Sequence, residues 1–299
     1  MNNPTSTVVV IDLNLVQRLI AAQFPRWKDL LIKPVAESGW DNRTFHLGDD
    51  LLIRMPSAAH YASQVEKEQH WLSKLAPHLP LPIPTPIAIG EPGFGYPWHW
   101  SINRWLPGEP ATSALISNMD DFAMSLAKFL KALQAIDTTG GPIAGSHSFH
   151  RGGSLAVYDS ETRQALALLE GKIDVASATE IWERAISTTW QQPPVWVHGD
   201  IAQGNLLVQE GRLSAVIDFG QLAIGDPACD LAIAWTFFDN KSREIFRNQL
   251  MLDKDTWIRG LAWTLWKYMI IAAGIIGSNS VEGKKSLNII ETVIQEYKK

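Results

Sequence analysis

Cysteine is almost absent from this chain. Cys229 is the only one, so no internal disulfide can form, and the staple that holds small secreted domains together is excluded. No N-terminal stretch pairs a basic segment with an apolar one of signal-peptide length, and a cytoplasmic location is the expectation. Long apolar runs are missing too: the longest candidate, residues 266–276, is interrupted by Lys267 and contains Gly274. That falls short of the roughly eighteen apolar residues a membrane-spanning helix needs, and it reads as a core helix. There is no basic excess either. The net charge of −5 argues against a nucleic-acid partner, and nothing calls for an obligate protein partner.

What is present suffices for a folded protein. Of 299 residues, 46% are apolar and 19% charged, a balance found in ordered rather than disordered chains. The length allows two lobes with separate cores, expected at 1–105 and 106–299, but not several independent domains. Charge is unevenly spread. Through Trp105 there are nine basic and nine acidic residues, and after it seventeen basic against twenty-two acidic. A cationic partner would suit an acidic second lobe, although ordinary solubility accounts for it equally well.

The chain is organised around residues 195–230, VWVHGDIAQGNLLVQEGRLSAVIDFGQLAIGDPACD. His198-Gly199-Asp200 lies between the apolar runs Val195–Val197 and 206–208, so its polar residues belong to a loop anchored at both ends, which Asn205 closes. Residues 209–212 read as a turn and 213–217 as a strand delivering Asp218 directly before Phe219-Gly220. Asp200 and Asn205 are five apart, and Asn205 and Asp218 thirteen apart. That order and separation match the catalytic-loop Asp, metal-binding Asn and DFG-type Asp of protein kinases. The residue types suit the chemistry. Mg²⁺ bridging nucleotide phosphates takes hard oxygen ligands, here Asn205 and Asp218, while a second carboxylate, Asp200, can orient an acceptor hydroxyl and accept its proton. Any one of these acids alone would be a turn residue; the three in register are not readily a coincidence.

HGDIAQGN, followed by VIDFG and GDPACDLA, resembles the aminoglycoside phosphotransferase family, bacterial kinases related to choline and fructosamine kinases. Protein kinases usually write HRD where this chain has His198-Gly199-Asp200. The resemblance implies an α+β, two-lobed, protein-kinase-like fold: a small antiparallel-sheet N-lobe and a larger, mainly helical C-lobe. It implies transfer of the γ-phosphoryl group of ATP or GTP, with Mg²⁺, to a hydroxyl of a small molecule, an aminoglycoside in the first instance. It also gives His198 and Asp230 structural roles, Asp230 bracing the catalytic loop.

In the first lobe, residues 11–24 show helical spacing at Leu15, Leu19 and Ala22, and 30–35, 43–47 and 51–55 read as strands. The turn at 38–42 stands where a kinase covers the nucleotide phosphates but has a single glycine and does not match G-x-G-x-x-G. The resemblance places the backbone of Gly39, Asp41 and Asn42 near the nucleotide. Arg54 occupies the strand position of the kinase lysine, a departure that keeps the charge but changes its geometry. In a helix at 61–75, Tyr61, Val65, Leu72 and Leu75 form one stripe, and Glu68 falls in its middle while Glu66 points away. A carboxylate on a core-facing stripe needs a partner, and Arg54 is the cation the pattern sets opposite.

Prolines make 77–86 an extended connection to a strand at 87–89. A strand at 98–106 then runs into a hinge where, by resemblance, the backbone near Asn103, Arg104 and Leu106 binds the nucleotide base. Trp98, Trp100 and Trp105 read as packing residues rather than ligand platforms. Helices are expected at 118–136, 156–170, 176–188, 242–250, 256–276 and 286–297. His147 and His150 lie in a solvated loop with no third ligand near. Asp226-Pro227 reads as an N-cap with proline at the first helical position of a helix carrying Ile233, Ala234 and Phe237, and Cys229 as a small buried hydrophobe. Two rivals share these residues: a kinase for a macrolide, choline-like amino-alcohol or sugar, and a nucleotide-binding pseudokinase scaffold, to which Arg54 lends some room.

Overall fold

The computed structural model describes residues 9–35, 41–277 and 280–299. The chain divides into two units: Met1–Pro77 with Leu81–Pro107 and Ala215–Gly220, and His78–Pro80 with Gly108–Ser214 and Gln221–Lys299. The return of Ala215–Gly220 to the first unit was not legible, because nothing in an apolar strand names the sheet or core it joins.

In the first unit, α1 (Leu13–Gln23) opens on Asp12, whose carboxylate accepts from the Leu15 N–H at 2.8 Å. Its buried face is Leu15, Val16, Leu19 and Ile20, while Ala22 is exposed. β1 (Ile32–Pro34), β2 (Asn42–Leu47) and β3 (Leu51–Pro56) precede α2 (Ala59–Leu75), β4 (Pro86–Gly90) and β5 (Trp100–Arg104). The strands form one antiparallel sheet in the order β1-β2-β3-β5-β4. Its core joins the α1 face to Phe45, Ile53, Met55, Trp100 and Ile102. Gly90 is needed there: a Cβ would sit 1.9 Å from the Trp100 ring. Between α2 and β4 the proline-rich segment is extended, except that Ala76–His78 makes one 3₁₀ turn before the proline density takes hold.

The second unit contributes β6 (Glu109–Pro110), α3 (Met119–Gln134), α4 (Asp159–Leu168), α5 (Val175–Ile186), β7 (Val195–Val197), β8 (Leu206–Gln209) and the start of β9 (Arg212–Val216). β10 (Ala223–Gly225), α6 (Ile233–Thr236), α7 (Asn240–Leu250), α8 (Lys254–Ala272) and α9 (Ser280–Tyr297) complete it. The small sheets are β10-β7 and β6-β8-β9. Buried Trp257, Leu261, Trp263, Leu265 and Met269 occupy more than one face of α8, as in a helix packed on several sides. α7 and α8 begin earlier than the apolar spacing suggests, because Asp239 and Asp253 cap them through Ser242 and Thr256.

Two expected helices are different. Residues 156–170 open as a 3₁₀ turn, Leu155–Tyr158, capped by Ser154, before α4 begins. Asp226 does cap, accepting from the Ala228 N–H, but the following element is a 3₁₀ helix, Pro227–Leu231, succeeded by the single turn of α6; Phe237 lies past its end. The reason is tertiary: Asp226 and Asp230 are both drawn to partners elsewhere in the unit.

Candidate active site

Within the first unit, β3 presents Arg54 and α2 presents Glu68. Arg54 Nη1 donates to both Glu68 oxygens at 2.9 and 2.8 Å, and Nη2 donates to Asp218 Oδ1 at 2.9 Å. The Arg54 and Glu68 side chains are buried, and Asp218 is partly exposed. Burial lifts the Glu68 carboxyl above its usual range against the pull of Arg54. Glu66 is exposed and pairs with His99 at 2.9 Å. β9 ends at Val216, one residue short of the expected strand, and Asp218 follows with φ at 64°, a left-handed conformation that Asp tolerates better than most residues. Asp218 Oδ2 has no protein partner among the described residues.

Sequence reasoning missed two further contributors from α2. Lys67 Nζ donates to the Gly220 carbonyl at 2.7 Å, and burial brings its pKa down to about 8. The Gln64 side chain packs where a Cβ on Gly220 would lie, 2.8 Å from Gln64 Oε1. With Glu68 they put one helical face against the 218–220 turn. Their spacings of three and four were a signal that α2 carries more than one functional group on that side.

Within the second unit, β7 delivers the HGD loop. Asp230 is fully buried and accepts from the N–H groups of His198 at 2.8 Å and Gly199 at 2.7 Å. Burial raises its pKa, offset by those hydrogen bonds and by His198. Gly199 has φ at 86°, and a Cβ there would lie 2.7 Å from the Gln221 carbonyl. Hence a glycine rather than a larger residue precedes Asp200. The Asp200 N–H donates to His198 Nδ1 at 3.2 Å, and Asn205 Nδ2 donates to the Asp200 carbonyl at 2.9 Å and to its Oδ2 at 3.2 Å.

Two cations also reach Asp200, and neither was anticipated. Lys267 Nζ, from α8, lies 3.5 Å from Asp200 Oδ1. Arg151 stacks its guanidinium 4.8 and 4.9 Å from the ring centres of Trp263 and Trp266 and donates to Gln221 at 3.3 Å. Burial alone would raise the Asp200 pKa, but Lys267, Arg151 and His198 together hold it below the usual carboxylate range. Asp200 is therefore ionised across the physiological range.

The expected nucleotide contacts fare unevenly. Gly39 lies outside the described residues. Asn42 opens β2, is buried and stands opposite Pro56, so pairing with β3 begins there. Asn103 is a β5 residue in register with Leu52 and Pro86. The Arg104 N–H donates to Thr85 and that of Trp105 to Asp50, at 2.9 and 2.8 Å. Leu106, half-buried and past the end of β5, is outside the strand pairing.

Among the described residues no group of three or more His, Cys, Asp and Glu side chains could hold a metal. A divalent cation would therefore depend on hard oxygens left over by the protein's own bonding. Asn205 commits its amide nitrogen to Asp200 and leaves Oδ1 uncommitted, and Asp218 leaves Oδ2. Each, taken in its own unit, is a hard oxygen of the kind Mg²⁺ takes. Elsewhere, Trp100 is buried, Trp98 packs on the core and Trp105 packs on His46. His147 bonds the Ile143 carbonyl, and Cys229 is buried with its thiol pKa pushed up by burial. No helix among the described residues is long and apolar enough to cross a membrane.

A model of the APH phosphotransferase enzyme family matches residues 32–263. An aminoglycoside 3'-phosphotransferase of Escherichia coli is 28% identical over 143 residues, 46% of this chain and 51% of that protein, and the chain spans about half the length of the first curated relatives it matches. The GDP complex of wild-type aminoglycoside 2'-phosphotransferase-IIIa superposes with TM-score 0.70 at 17% identity, over 96% of this chain and 100% of that one. The apoenzyme of macrolide 2'-phosphotransferase MphH from Brachybacterium faecium gives 0.60 at 21% identity, over 93% and 98%. The fold, an antiparallel N-terminal sheet followed by a helical C-terminal portion, is that of these phosphotransferases.

Proposed function

Because the chain belongs to the APH phosphotransferase enzyme family, we propose that it is a small-molecule kinase, moving the γ-phosphoryl group of ATP or GTP to an alcohol. The observation that carries this reading is Asp200: an ionised, half-buried carboxylate held by Asn205, at the end of a loop whose backbone Asp230 braces. In this reading Asp200 orients the acceptor hydroxyl and takes its proton as the new phosphoester bond forms. Asn205 and Asp218 offer oxygens to Mg²⁺, which when bound supplies charge neutralisation on the phosphates. Arg54 supports the same end of the chemistry as a fixed cation, its fork shared between Glu68 and Asp218.

An aminoglycoside is the first acceptor class to test, on the identity to an aminoglycoside 3'-phosphotransferase; a macrolide is the second, on the likeness to a macrolide 2'-phosphotransferase. The experiment is an acceptor panel with Mg²⁺ and ATP or GTP, read by mass spectrometry for the gain of one phosphate. Asp200→Ala should abolish transfer while leaving nucleotide binding largely intact, and Asp218→Ala should weaken Mg·nucleotide binding. Wild-type rates in the Asp200 variant would remove the proposed base. Nucleotide binding with no turnover on any acceptor would favour a scaffold.

A further inference from the structure

Arg151 stands beside the catalytic loop on a segment built to hold it there. Phe149 and His150 take left-handed φ angles of 48° and 55°, a conformation that residues other than glycine keep only when their surroundings enforce it. Those surroundings are present. The His150 N–H donates to the Gly145 carbonyl at 2.8 Å and the Arg151 N–H to that of Ser148 at 2.9 Å. The buried Ser148 hydroxyl lies 3.1 and 3.2 Å from the Gly145 and Arg151 carbonyls. Gly152 then fastens the segment at the end of β10, its carbonyl accepting from the Asp226 N–H at 2.8 Å. The result is close contact with the HGD loop: a Cβ on Gly199 would lie 3.1 Å from the Arg151 Cβ.

The Arg151 guanidinium is fixed as firmly as its backbone. Nε donates to Gln221, and the group lies against the buried rings of Trp263 and Trp266. Trp266 is itself pinned, stacked on Tyr158 at 4.0 Å and donating to Glu161 at 2.8 Å. The nearby acids are all engaged. Lys267 and Asn205 hold the two Asp200 oxygens, backbone N–H groups hold Asp230, and Trp266 holds Glu161. Arg151 has no carboxylate within ion-pair distance among the described residues, and its two Nη groups meet no acceptor there. A half-buried, immobile fork is thus left without a counter-charge next to the proposed base.

We propose that the acceptor alcohol carries a carboxylate or phosphate group near the hydroxyl it offers to Asp200, and that Arg151 is the residue that selects it. This rests on the phosphotransferase reading and narrows its acceptor. A planar fork already oriented on an aromatic platform pairs with anionic oxygens at little cost in side-chain freedom. Lys267 offsets the Asp200 charge, so the base does not drive such a group away. An acceptor ammonium would instead meet two cations where its hydroxyl must lie, and like-charge juxtaposition is a means of rejecting the wrong partner. Sequence identity puts an aminoglycoside first in the panel; the charge beside Asp200 puts a hydroxy acid ahead of a polycation.

The test uses the full chain and three probes that differ in one group: glycerate, glycerol and 3-amino-1,2-propanediol. The indole signals of Trp263 and Trp266 in ¹⁵N–¹H spectra, assigned with Trp263→Phe and Trp266→Phe, report on the site. At constant ionic strength glycerate should shift them saturably, and the neutral and cationic probes should bind about tenfold more weakly or worse. Glycerol 3-phosphate beside glycerate tells phosphate from carboxylate by which binds more tightly. Arg151→Gln should abolish the preference for the anion, and Arg151→Lys, which keeps the charge without the fork, should restore part of it. Glycerate should still bind when Mg²⁺ and ADP are present. In the acceptor panel, phosphate gain should be fastest on hydroxy acids, with kcat/KM for them falling about tenfold or more in Arg151→Gln. Anion binding through Arg151 with no turnover on any acceptor would support the anion site and remove the phosphotransferase reading. Fastest turnover on a polycation, no preference among the three probes, an unchanged preference in Arg151→Gln, or displacement of glycerate by the nucleotide would overturn the proposal and leave that reading intact.

Discussion

Arg54 Nη2 stands 2.9 Å from Asp218 Oδ1, across 164 positions of sequence, while its Nη1 is held by Glu68. One guanidinium thus ties a helix of the first unit to the turn after β9. A lysine, with a single nitrogen, could not divide itself between two separate carboxylates in the same way. The departure from the kinase pattern is therefore matched by its surroundings.

The buried pair makes a first prediction. Arg54→Gln leaves Glu68 buried without its cation and should cost about 3–5 kcal/mol, as breaking one side of a buried pair does. Glu68→Gln should cost less, because Arg54 retains Asp218, and the double variant should cost less than the sum of the singles. Urea unfolding of the four proteins measures this. An Arg54→Gln cost below about 1 kcal/mol would place the pair among exposed ones.

The second prediction separates two glycines of one loop. Gly199 has a left-handed φ and no space for a Cβ, whereas Gly204 meets nothing within 4 Å and has no such φ. Gly199→Ala should destabilise by about 1–3 kcal/mol from backbone strain alone, with loss of transfer as the Asp200 loop is pushed off Gln221. Gly204→Ala should stay within about 0.5 kcal/mol. Thermal unfolding with a parallel activity assay decides it; equal effects at the two positions would refute the steric account of HGD.

Much of this was written in the sequence because it is local. The HGD, Asn205 and IDFG spacing, the Arg54 strand and the Glu68 stripe each follow from short-range pattern, and within the units Arg54 bonds Glu68, Gly199 bonds Asp230 and Asn205 bonds Asp200. What escaped is long-range. Lys267 had a signal, a single charge in an otherwise apolar helix, yet nothing in its neighbourhood names Asp200 as its partner. Arg151 lay in a Gly- and Ser-rich loop that reads as solvent-facing. At the expected hinge, resemblance names residues, while the fold decides which N–H groups are already bonded, as those of Arg104 and Trp105 are. The 3₁₀ helix after Asp226 is a further case: its cap was legible, but the pull of Arg259 on Asp226, 2.6 Å away, was not.

The third prediction concerns pH and the Lys267–Asp200 pair. Burial works to raise the Asp200 pKa, yet Lys267, Arg151 and His198 leave it below the usual value. A depressed folded-state pKa stabilises the fold above the unfolded-state value, and that contribution is lost as pH falls through the folded one. Lys267→Met keeps the length of the side chain but removes one of the cations, so the Asp200 pKa should rise toward its ordinary value of about 3.9. The stability lost at neutral pH should be small, about 0.2–1 kcal/mol, because the two side chains are 36% and 29% exposed. It should vanish in acid, where Asp200 is protonated in both proteins. In a base that must be ionised to act, the same shift moves the acid limb of the kcat/KM profile to higher pH. A carboxyl-carbon NMR titration of Asp200 beside that profile distinguishes the causes. A raised pKa with a moved limb supports the electrostatic role. A loss of rate at pH 7 with the limb unmoved would mean that Lys267 acts on the substrate instead.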